Sequence, residues 1–258
     1  MEKKRIAVIT GANSGIGKEF AFLLANDRSI DEIWAIAQDE DRLIKLHDSI
    51  GDKVRTFSMD LTDRNNISLL ERLIVDEDAD IPYLINCAGF AKFGDYSAIS
   101  RQTTVNMIDL NVSALVALTL ICIPFMPRGA HIINMASQAA FQPVPYQNVY
   151  SATKAFVLSY TRALNVELKD KRICATAVCP GWMNTRLIER ATTNARKTIT
   201  KFPFIVEPYV VARKALNDAR KNKDMSVYGI VIKLAHISSK LLPHKLLMKL
   251  WLIIQGIC

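Results

Sequence analysis

The chain of 258 residues has few cysteines and no segment typical of a secreted or membrane-spanning protein. Its five cysteines are scattered and no pair has metal-ligand spacing. We therefore expect reduced, buried thiols in the cytoplasm, with neither a disulfide framework nor a metal site. The longest unbroken apolar run in the middle of the chain is far short of the roughly 18–20 residues that span a bilayer. The apolar run Ile6–Ile9 is too short to predict a signal peptide.

The sequence also lacks linkers rich in Pro, Gly or Ser, repeats of fixed period and low-complexity tracts, so we predict a single domain over residues 1–258. Ten Gly and nine Pro exclude a collagen-like chain. The net charge of +8 does not indicate nucleic-acid binding, because the basic excess is local. Residues 196–258 hold 12 basic and 3 acidic residues, whereas residues 1–195 hold 21 and 22.

Short apolar runs alternate with longer amphipathic stretches along the chain. The predicted strands are Arg5–Thr10, Glu32–Ala37, Lys53–Met59, Pro82–Asn86, Ala130–Met135, Ile173–Val178 and Val227–Lys233. The predicted helices are Ile16–Asn26, Asp39–Ile50, Asp63–Val75, Thr104–Ile123 and Val149–Leu168. This alternation predicts a doubly wound, Rossmann-type α/β fold, with a parallel sheet and helices on both faces. Ligands of such sheets bind beyond the carboxyl ends of the strands.

A glycine-rich turn separates the first predicted strand from the first helix. Residues 10–17 are Thr-Gly-Ala-Asn-Ser-Gly-Ile-Gly. Glycines allow a tight turn, and the N–H groups and positive dipole end of a helix suit a pyrophosphate. A turn without a ligand is the alternative, but this position in a βαβ unit favours a nucleotide site. The turn lacks the G-x-x-x-x-G-K-[ST] pattern, which argues against a P-loop NTPase.

Further motifs follow this turn in order along the chain. They are Asp60-Leu61, Asn86-Cys87-Ala88-Gly89, Asn111, Ser137, Tyr150-Ser151-Ala152-Thr153-Lys154 and Pro180-Gly181-Trp182-Met183-Asn184-Thr185. With the turn, they resemble the T-G-x-x-x-G-x-G, N-N-A-G, Y-x-x-x-K and P-G-x-x-x-T segments of the short-chain dehydrogenase/reductase family, in particular its hydroxysteroid-dehydrogenase-like members. The resemblance covers residues 5 to about 232. Cys87 departs from it, since the family has Asn there.

The resemblance implies an oxidoreductase in which the cofactor carries the hydride and the protein supplies orientation and a proton. Tyr150 and Lys154 are four residues apart in a predicted helix, so the ammonium can lower the pKa of the phenol. Ser137 can hydrogen-bond the substrate oxygen. By resemblance, Tyr150 is the general acid/base, Lys154 also reaches the nicotinamide ribose, and Asn111 orders a water in a proton relay. Each residue alone could be merely a cap or a packing residue; their joint occurrence favours catalysis.

The resemblance also implies an NAD(P)(H) cofactor bound at the strand ends. The expected cofactor residues are Gly11, Asn13, Ser14, Gly15, Ile16, Gly17, Ala37, Gln38, Arg42, Asp60, Leu61, Asn86, Ala88, Gly89, Tyr150, Lys154, Pro180, Gly181, Met183 and Thr185. Ala37 takes the place of the acid that bonds the ribose of NAD, and Gln38 that of an Arg common in NADP enzymes. Asp39 disfavours a 2′-phosphate, whereas Arg42 and Asn13 favour one. We favour NADP(H) over NAD(H).

The substrate site is expected to be bulky and hydrophobic, as a hydroxysteroid or bile acid requires. Its expected residues are Ser137, Phe93, Phe141, Tyr146, Tyr150 and Trp182. Residues 186–224 match a segment that forms a lid in the family. Residues 234–258 form an amphipathic extension that we expect to cover the pocket or a neighbouring subunit. Contact with an anionic membrane surface, or completion of the core, are the alternatives.

One predicted helix bears on assembly. Val112–Ile123 is apolar nearly all round, which predicts burial on every side. Because the family pairs this helix and the tyrosine-bearing helix across a two-fold axis, the resemblance implies a homodimer or homotetramer. Two other functions stay open: a 3-oxoacyl-type reductase acting on a carrier-linked chain, and a nucleotide-sensing protein without turnover. The presence of Ser137, Tyr150 and Lys154 argues against the sensor.

Overall fold

A seven-stranded parallel sheet forms the centre of the protein in a computed structural model, which describes residues 3–193 and 198–257. The strands are β1 (Arg5–Thr10), β2 (Glu32–Ala37), β3 (Val54–Ser58), β4 (Asp80–Asn86), β5 (His131–Met135), β6 (Cys174–Val178) and β7 (Met225–Ser226). Their order is β3-β2-β1-β4-β5-β6-β7, and every neighbouring pair is parallel. The predicted doubly wound α/β fold is confirmed.

Helices cover both faces of the sheet. They are α1 (Gly15–Ala25), α2 (Glu40–Ile50), α3 (Arg64–Glu77), α4 (Arg101–Ile108), α5 (Leu115–Cys122), α6 (Asn148–Glu167), α7 (Arg186–Thr192), α8 (Pro208–Arg220), α9 (Ile230–Leu241) and α10 (His244–Gln255). A π-helical turn, Asp109–Ala114, joins α4 to α5. Several helices begin where a short polar side chain accepts a hydrogen bond from the first turn, as Asp39, Asp63 and Ser100 do.

The sheet separates two apolar layers. Ala7 and Ile9 of β1 pack in the layer formed with α1, α2 and α8, whereas Ile6 and Val8 pack in the layer formed with α3, α5 and α6. Successive side chains of a strand point to opposite faces, so a strand that is apolar at every position needs helices on both sides. This is why β1 has no polar face.

The C-terminal part differs from the sequence-based expectation. The predicted strand Val227–Lys233 is wrong: β7 ends at Ser226 and α9 begins at Ile230. Apolar residues recur at helical spacing from Ile230 onward, which explains why this segment forms a helix instead of a strand of the sheet. Part of the segment predicted as a lid, residues 186–224, is α8, which is buried against α1 and the sheet. The lid stays a prediction, and residues 194–197 within it lie outside the described residues.

The long helical stretch Arg101–Phe125 is, in the part of the chain that the structure describes, the one long and apolar enough to cross a membrane by length and composition. Core helices of soluble proteins pass the same test, and Ala114 and Leu118 pack against the sheet. The prediction that Val112–Ile123 is buried on every side is wrong, because Leu120 is 59% exposed. The outward side of α5 is therefore apolar and uncovered in a single chain.

Candidate active site

Two adjoining cavities lie beyond the carboxyl ends of the strands. The first, which we call the glycine cleft, measures about 280 Å³ and is lined by the turn after β1 and by the ends of β2 and β3. The second, which we call the tyrosine cavity, measures about 330 Å³ and contains Ser137, Tyr150 and Lys154. Cys87 and Gly89, which follow β4, line both cavities. A ligand that occupied the cleft could therefore extend into the cavity.

The glycine turn has a backbone geometry that residues with a side chain rarely adopt. Gly11 and Gly15 have φ angles of +64° and +52°, in the region that L side chains rarely adopt. A Cβ at Gly17 would lie 2.3 Å from the carbonyl oxygen of Gly11. The close approach leaves the N-terminus of α1 open to the cleft, where its positive dipole end suits a phosphate group. The cleft thus fits the dinucleotide that the sequence motifs imply.

Most of the predicted cofactor residues line the glycine cleft. They are Gly11, Asn13, Ser14, Gly15, Ile16, Gly17, Ala37, Gln38, Arg42, Leu61, Ala88, Gly89, Met183 and Thr185. Tyr150, Lys154, Pro180 and Gly181 line the tyrosine cavity. Met59, Leu110, Arg186 and Arg190 also line the cleft, although none of them carries a motif that points to it.

Two predicted cofactor residues lie elsewhere. Asp60 turns into its own loop, where its carboxylate accepts hydrogen bonds from the backbone N–H (2.9 Å) and hydroxyl (2.7 Å) of Thr62. Asn86 is buried between strands and helices, and its Nδ2 donates to Asn134 Oδ1 (2.9 Å) and Thr119 Oγ1 (3.2 Å). A buried amide must find partners inside the protein. Asn86 therefore supports the strand end from within and its side chain does not line the cleft.

Charged and polar side chains contact one another where β2 ends at the glycine cleft. The Asp39 carboxylate accepts from the backbone N–H of Arg42 (3.2 Å) and pairs with Arg42 Nε (3.0 Å). Asn13 Nδ2 donates to the Asp39 carbonyl oxygen (3.4 Å). The negative charge of Asp39 is thus opposed by Arg42. The remaining guanidinium donors of Arg42 are not used by this pair.

Ser137, Tyr150 and Lys154 come together in the tyrosine cavity although they are separated in sequence. Ser137 follows β5, and Tyr150 and Lys154 lie on one face of α6. The hydroxyl of Ser137 interacts with that of Tyr150, and it accepts from the backbone N–H of Ala139 (3.1 Å). Lys154 Nζ donates to the carbonyl oxygen of Met135 (2.7 Å) and lies 5.8 Å from the centre of the Tyr150 ring. The arrangement presents two hydroxyls and an ammonium to one cavity.

Burial dominates the protonation of this group. It raises the pKa of Tyr150 to about 12, although the hydrogen bond with Ser137 opposes the shift. It lowers the pKa of Lys154 to about 8. The pKa of Tyr150 is therefore raised where the sequence predicted that Lys154 would lower it, because burial of the phenol dominates. Tyr150 is consequently protonated at neutral pH.

Asn111 is buried in the π-helical turn next to the cavity. Its side chain accepts from the backbone N–H of Phe90 (3.0 Å) and donates to the Phe90 carbonyl (3.0 Å) and to Thr153 Oγ1 (3.1 Å). A Cβ at Gly89 would lie 2.8 Å from Asn111 Oδ1 and 3.6 Å from Lys154 Nζ. Asn111 Oδ1 and Lys154 Nζ therefore both lie close to Gly89. π-Helical turns often mark functional sites.

Apolar side chains form most of the tyrosine cavity. Phe141 and Trp182 line it as predicted, whereas Phe93 and Tyr146 do not. Phe93 is fully buried behind the wall, with its ring centre 5.8 Å from that of Tyr150 and 6.0 Å from that of Trp182. Sequence reasoning missed other wall residues, which come from distant segments. They include Met135, Val144, Leu187, Pro203, Phe204, Val231, Ile232, Trp251 and Ile254.

The sequence matches a family model described as short chain dehydrogenase over residues 5–196. An uncharacterized oxidoreductase of Staphylococcus epidermidis is 30% identical over 202 residues, covering 76% of this chain and 86% of that protein. A 3-oxoacyl-[acyl-carrier-protein] reductase of Thermotoga maritima is 28% identical over 78% of this chain and 83% of its own length. Mouse 17-beta-hydroxysteroid dehydrogenase type 3 is 29% identical over 76% of this chain and 66% of its own length.

Solved structures of short-chain and alcohol dehydrogenases are also similar to this chain. A short-chain dehydrogenase from Sphingobium yanoikuyae in complex with NADPH has a TM-score of 0.76 and 28% identity, and the match covers 95% of both chains. The bulky-bulky ketone specific alcohol dehydrogenase of Comamonas testosteroni has a TM-score of 0.74 and 25% identity, over 95% of this chain and 93% of that one. The fold thus agrees with the comparisons.

Proposed function

The chain belongs to the short-chain dehydrogenase/reductase family of oxidoreductases, and from this premise we propose that it interconverts a bulky hydrophobic secondary alcohol, such as a hydroxysteroid or bile acid, and its ketone. The observation that carries the proposal is the tyrosine cavity, where the hydroxyls of Ser137 and Tyr150 lie among mostly apolar walls. A cavity of this kind accepts an apolar ligand and orients it by one polar atom.

A nicotinamide dinucleotide held in the glycine cleft would supply the hydride for ketone reduction, or accept it in alcohol oxidation. Tyr150 Oη keeps its proton through the neutral range and donates it to the ketone oxygen, which becomes the hydroxyl of the alcohol. Ser137 Oγ holds the same oxygen and stabilises the charge that develops on it. Lys154 Nζ, fixed by the Met135 carbonyl, holds a positive charge beside the tyrosine. Asn111 orders a water that links Lys154 to solvent.

The second candidate is a 3-oxoacyl-type reductase. The similarity to the Thermotoga maritima reductase supports it, as do Arg186 and Arg190, which line the glycine cleft and could attract an acidic carrier. The similarity to the Comamonas testosteroni alcohol dehydrogenase, which is described as specific for bulky ketones, favours the first candidate.

The two candidates differ in the ketone that they consume fastest. Initial rates of NADPH oxidation are measured with steroid ketones, 3-oxoacyl thioesters and small ketones such as acetone. We expect the steroid ketones to have a kcat/KM at least about 100-fold above that of acetone, a difference of about 2.7 kcal/mol in transition-state binding. A 3-oxoacyl thioester that exceeds every steroid ketone overturns the hydroxysteroid proposal and supports the reductase.

We also propose NADP(H) as the preferred cofactor. If Arg42 binds the 2′-phosphate, Arg42→Ala is expected to raise the Kd of NADPH about tenfold, which corresponds to about 1.4 kcal/mol. The Kd of NADH should change less than twofold, because NADH lacks this phosphate. Titration of the nicotinamide fluorescence measures both. Lys45→Ala, an exposed lysine of the same helix, is the control for loss of charge. Equal effects on both cofactors would argue against this role of Arg42.

The pKa values of the buried pair predict opposite pH profiles for the two directions. Ketone reduction is expected to decline as the pH rises above about 8, where Lys154 loses its positive charge, while Tyr150 still holds its proton. Alcohol oxidation requires the phenolate and should increase over the same range. The measurement is kcat/KM in each direction from pH 6 to 10. A reduction rate that stays constant to pH 10 would contradict the assignment.

We propose further that the protein works in the cytoplasm as a homodimer or homotetramer. The outward sides of α5 and α6 carry exposed apolar residues, among them Leu120, Phe156 and Val166. In members of the family, these two helices pack against another subunit across a two-fold axis. Such pairing would cover these residues in an isologous interface.

A further inference from the structure

The two C-terminal helices turn apolar stripes toward solvent. In α9 the stripe recurs at intervals of four, three and four residues, and its ends, Ile230 and Leu241, are 75% and 76% exposed. The C-terminal apolar surface, as we define it, consists of exposed Ile230, Leu234, Ile237, Leu241, Leu246, Leu250, Ile253 and Ile254. A helix on the surface of a globular protein normally turns its apolar stripe to the core. These two helices do the opposite.

Their other sides attach both helices to the rest of the protein. In α9 the His236 ring packs on Phe141, with the ring centres 4.4 Å apart. In α10 the Trp251 indole N–H donates to the Pro145 carbonyl (3.1 Å), and buried Gln255 bonds the backbone at Lys201 with both ends of its amide. The helices are therefore held in a defined orientation. The outward direction of the apolar surface is a property of the fold.

The C-terminal apolar surface adjoins the opening of the tyrosine cavity. Phe204, Val231 and Ile254 line that cavity and are also exposed to solvent. Side chains that are exposed and also line a cavity mark its mouth. A surface that covered the C-terminal stripes would thus lie against the entrance to the active site.

The charge around this surface has one sign. Residues 225–258 contain four Lys and no Asp or Glu. Lys233 and Lys240 flank the stripe of α9, and Lys245 and Lys249 flank that of α10. All four are exposed, and no ion pair joins them to an acidic side chain within residues 3–193 and 198–257. The apolar surface therefore has basic edges.

This charge distinguishes between two possible occupants. A second copy of the chain, paired by a two-fold axis, would place lysines opposite lysines, with no acidic side chain of this segment to neutralise them. An anionic lipid surface can bind both the lysines and the apolar stripes. Its headgroups attract lysines, whose aliphatic parts can extend along the interface, and its acyl boundary accepts an apolar helix face.

We propose that α9 and α10 dock the protein on the surface of an anionic lipid bilayer, with the mouth of the tyrosine cavity toward the lipid. A hydrophobic substrate dissolved in the membrane then reaches Ser137 and Tyr150 without crossing water. The docking stands on the exposed stripes and lysines alone. The delivery of substrate rests on the proposed function.

The test is sedimentation of the full-length protein with vesicles, without substrate or cofactor. Vesicles of phosphatidylcholine with phosphatidylserine are expected to bind the protein at least about fivefold more than phosphatidylcholine alone, and high salt should release it. The double variant Leu234→Gln, Leu250→Gln should lose at least about four-fifths of this binding. The control variant, Ile44→Gln, Val75→Gln, changes two exposed apolar residues of α2 and α3 and should keep it.

Two results would overturn the proposal. One is a bound fraction that does not depend on anionic lipid and is the same in both double variants. The other is light scattering that shows a larger assembly, reduced by Leu234→Gln, Leu250→Gln, without vesicle binding; that result assigns the surface to a second copy. Because the readout needs no turnover, failure here leaves the ketone assay unaffected, and an inactive enzyme can still bind vesicles.

Discussion

Replacing Tyr150 with phenylalanine is expected to lower kcat for ketone reduction by about 10³-fold, within the range of about 10²–10⁴ that general acid catalysis contributes. The variant removes the phenolic proton and keeps the ring, whose edge contact with Phe93 fills the wall. Ser137 loses a hydrogen-bond partner but still faces the cavity. The Kd of NADPH should change less than about threefold, since the glycine cleft is untouched.

The matched control for this experiment lies on the same helix. Tyr160 of α6 lies outside both cavities. Tyr160→Phe should therefore keep kcat within about twofold. If Tyr150→Phe retains more than a tenth of the turnover, the tyrosine is not the proton donor.

Replacing Gly17 with alanine is expected to abolish tight cofactor binding, with a rise of at least about 30-fold in the Kd of NADPH, or about 2 kcal/mol. The added Cβ would lie 2.3 Å from the Gly11 carbonyl oxygen. The carbonyl oxygen is a backbone atom and the Cβ is fixed directly to the backbone, so no flexible side chain can move aside. The turn must open, which moves the N-terminus of α1 away from the phosphate position.

Lys18→Ala is the control for this change, because Lys18 is the next residue of α1 and is exposed. It should leave the Kd within about twofold. Thermal unfolding followed by circular dichroism shows whether Gly17→Ala still folds. A folded Gly17→Ala protein that binds NADPH as tightly as the parent would show that the cofactor does not use this turn.

The sheet could be predicted because its signals are local. Runs such as Arg5–Thr10 are rich in β-branched and other apolar residues, and the glycine turn marks the start of the first helix. The secondary structure of the C-terminal segment was harder to predict, because its local signals are ambiguous. The apolar residues from Val227 onward suit either a strand or a helix when taken in short windows, and only the continued spacing to Leu241 identifies α9. Helix α8 was not predicted, because the family resemblance assigned its segment to a lid.

Some features of the candidate site could likewise be predicted from local signals, and others could not. Ser137, Tyr150 and Lys154 could be placed together because each follows from a strand end or a helical spacing. The inward orientation of Asn86, the position of Phe93 behind the wall and the high pKa of Tyr150 depend on what packs around them. Trp251 reaches the cavity from a segment 101 residues beyond Tyr150 in the sequence. No local pattern predicts such contacts.

The central claim is that this protein transfers a hydride between a nicotinamide and a carbonyl carbon, with the proton supplied by Tyr150. The most direct test uses NADPH labelled with deuterium on C4, on the face that the enzyme uses, together with the best ketone of the panel. Mass spectrometry should find one deuterium on the carbinol carbon for each NADPH oxidised, and none with Tyr150→Phe over the same time. Tight binding of NADPH without any labelled alcohol, on every ketone tested, would contradict the account and support a nucleotide-sensing protein.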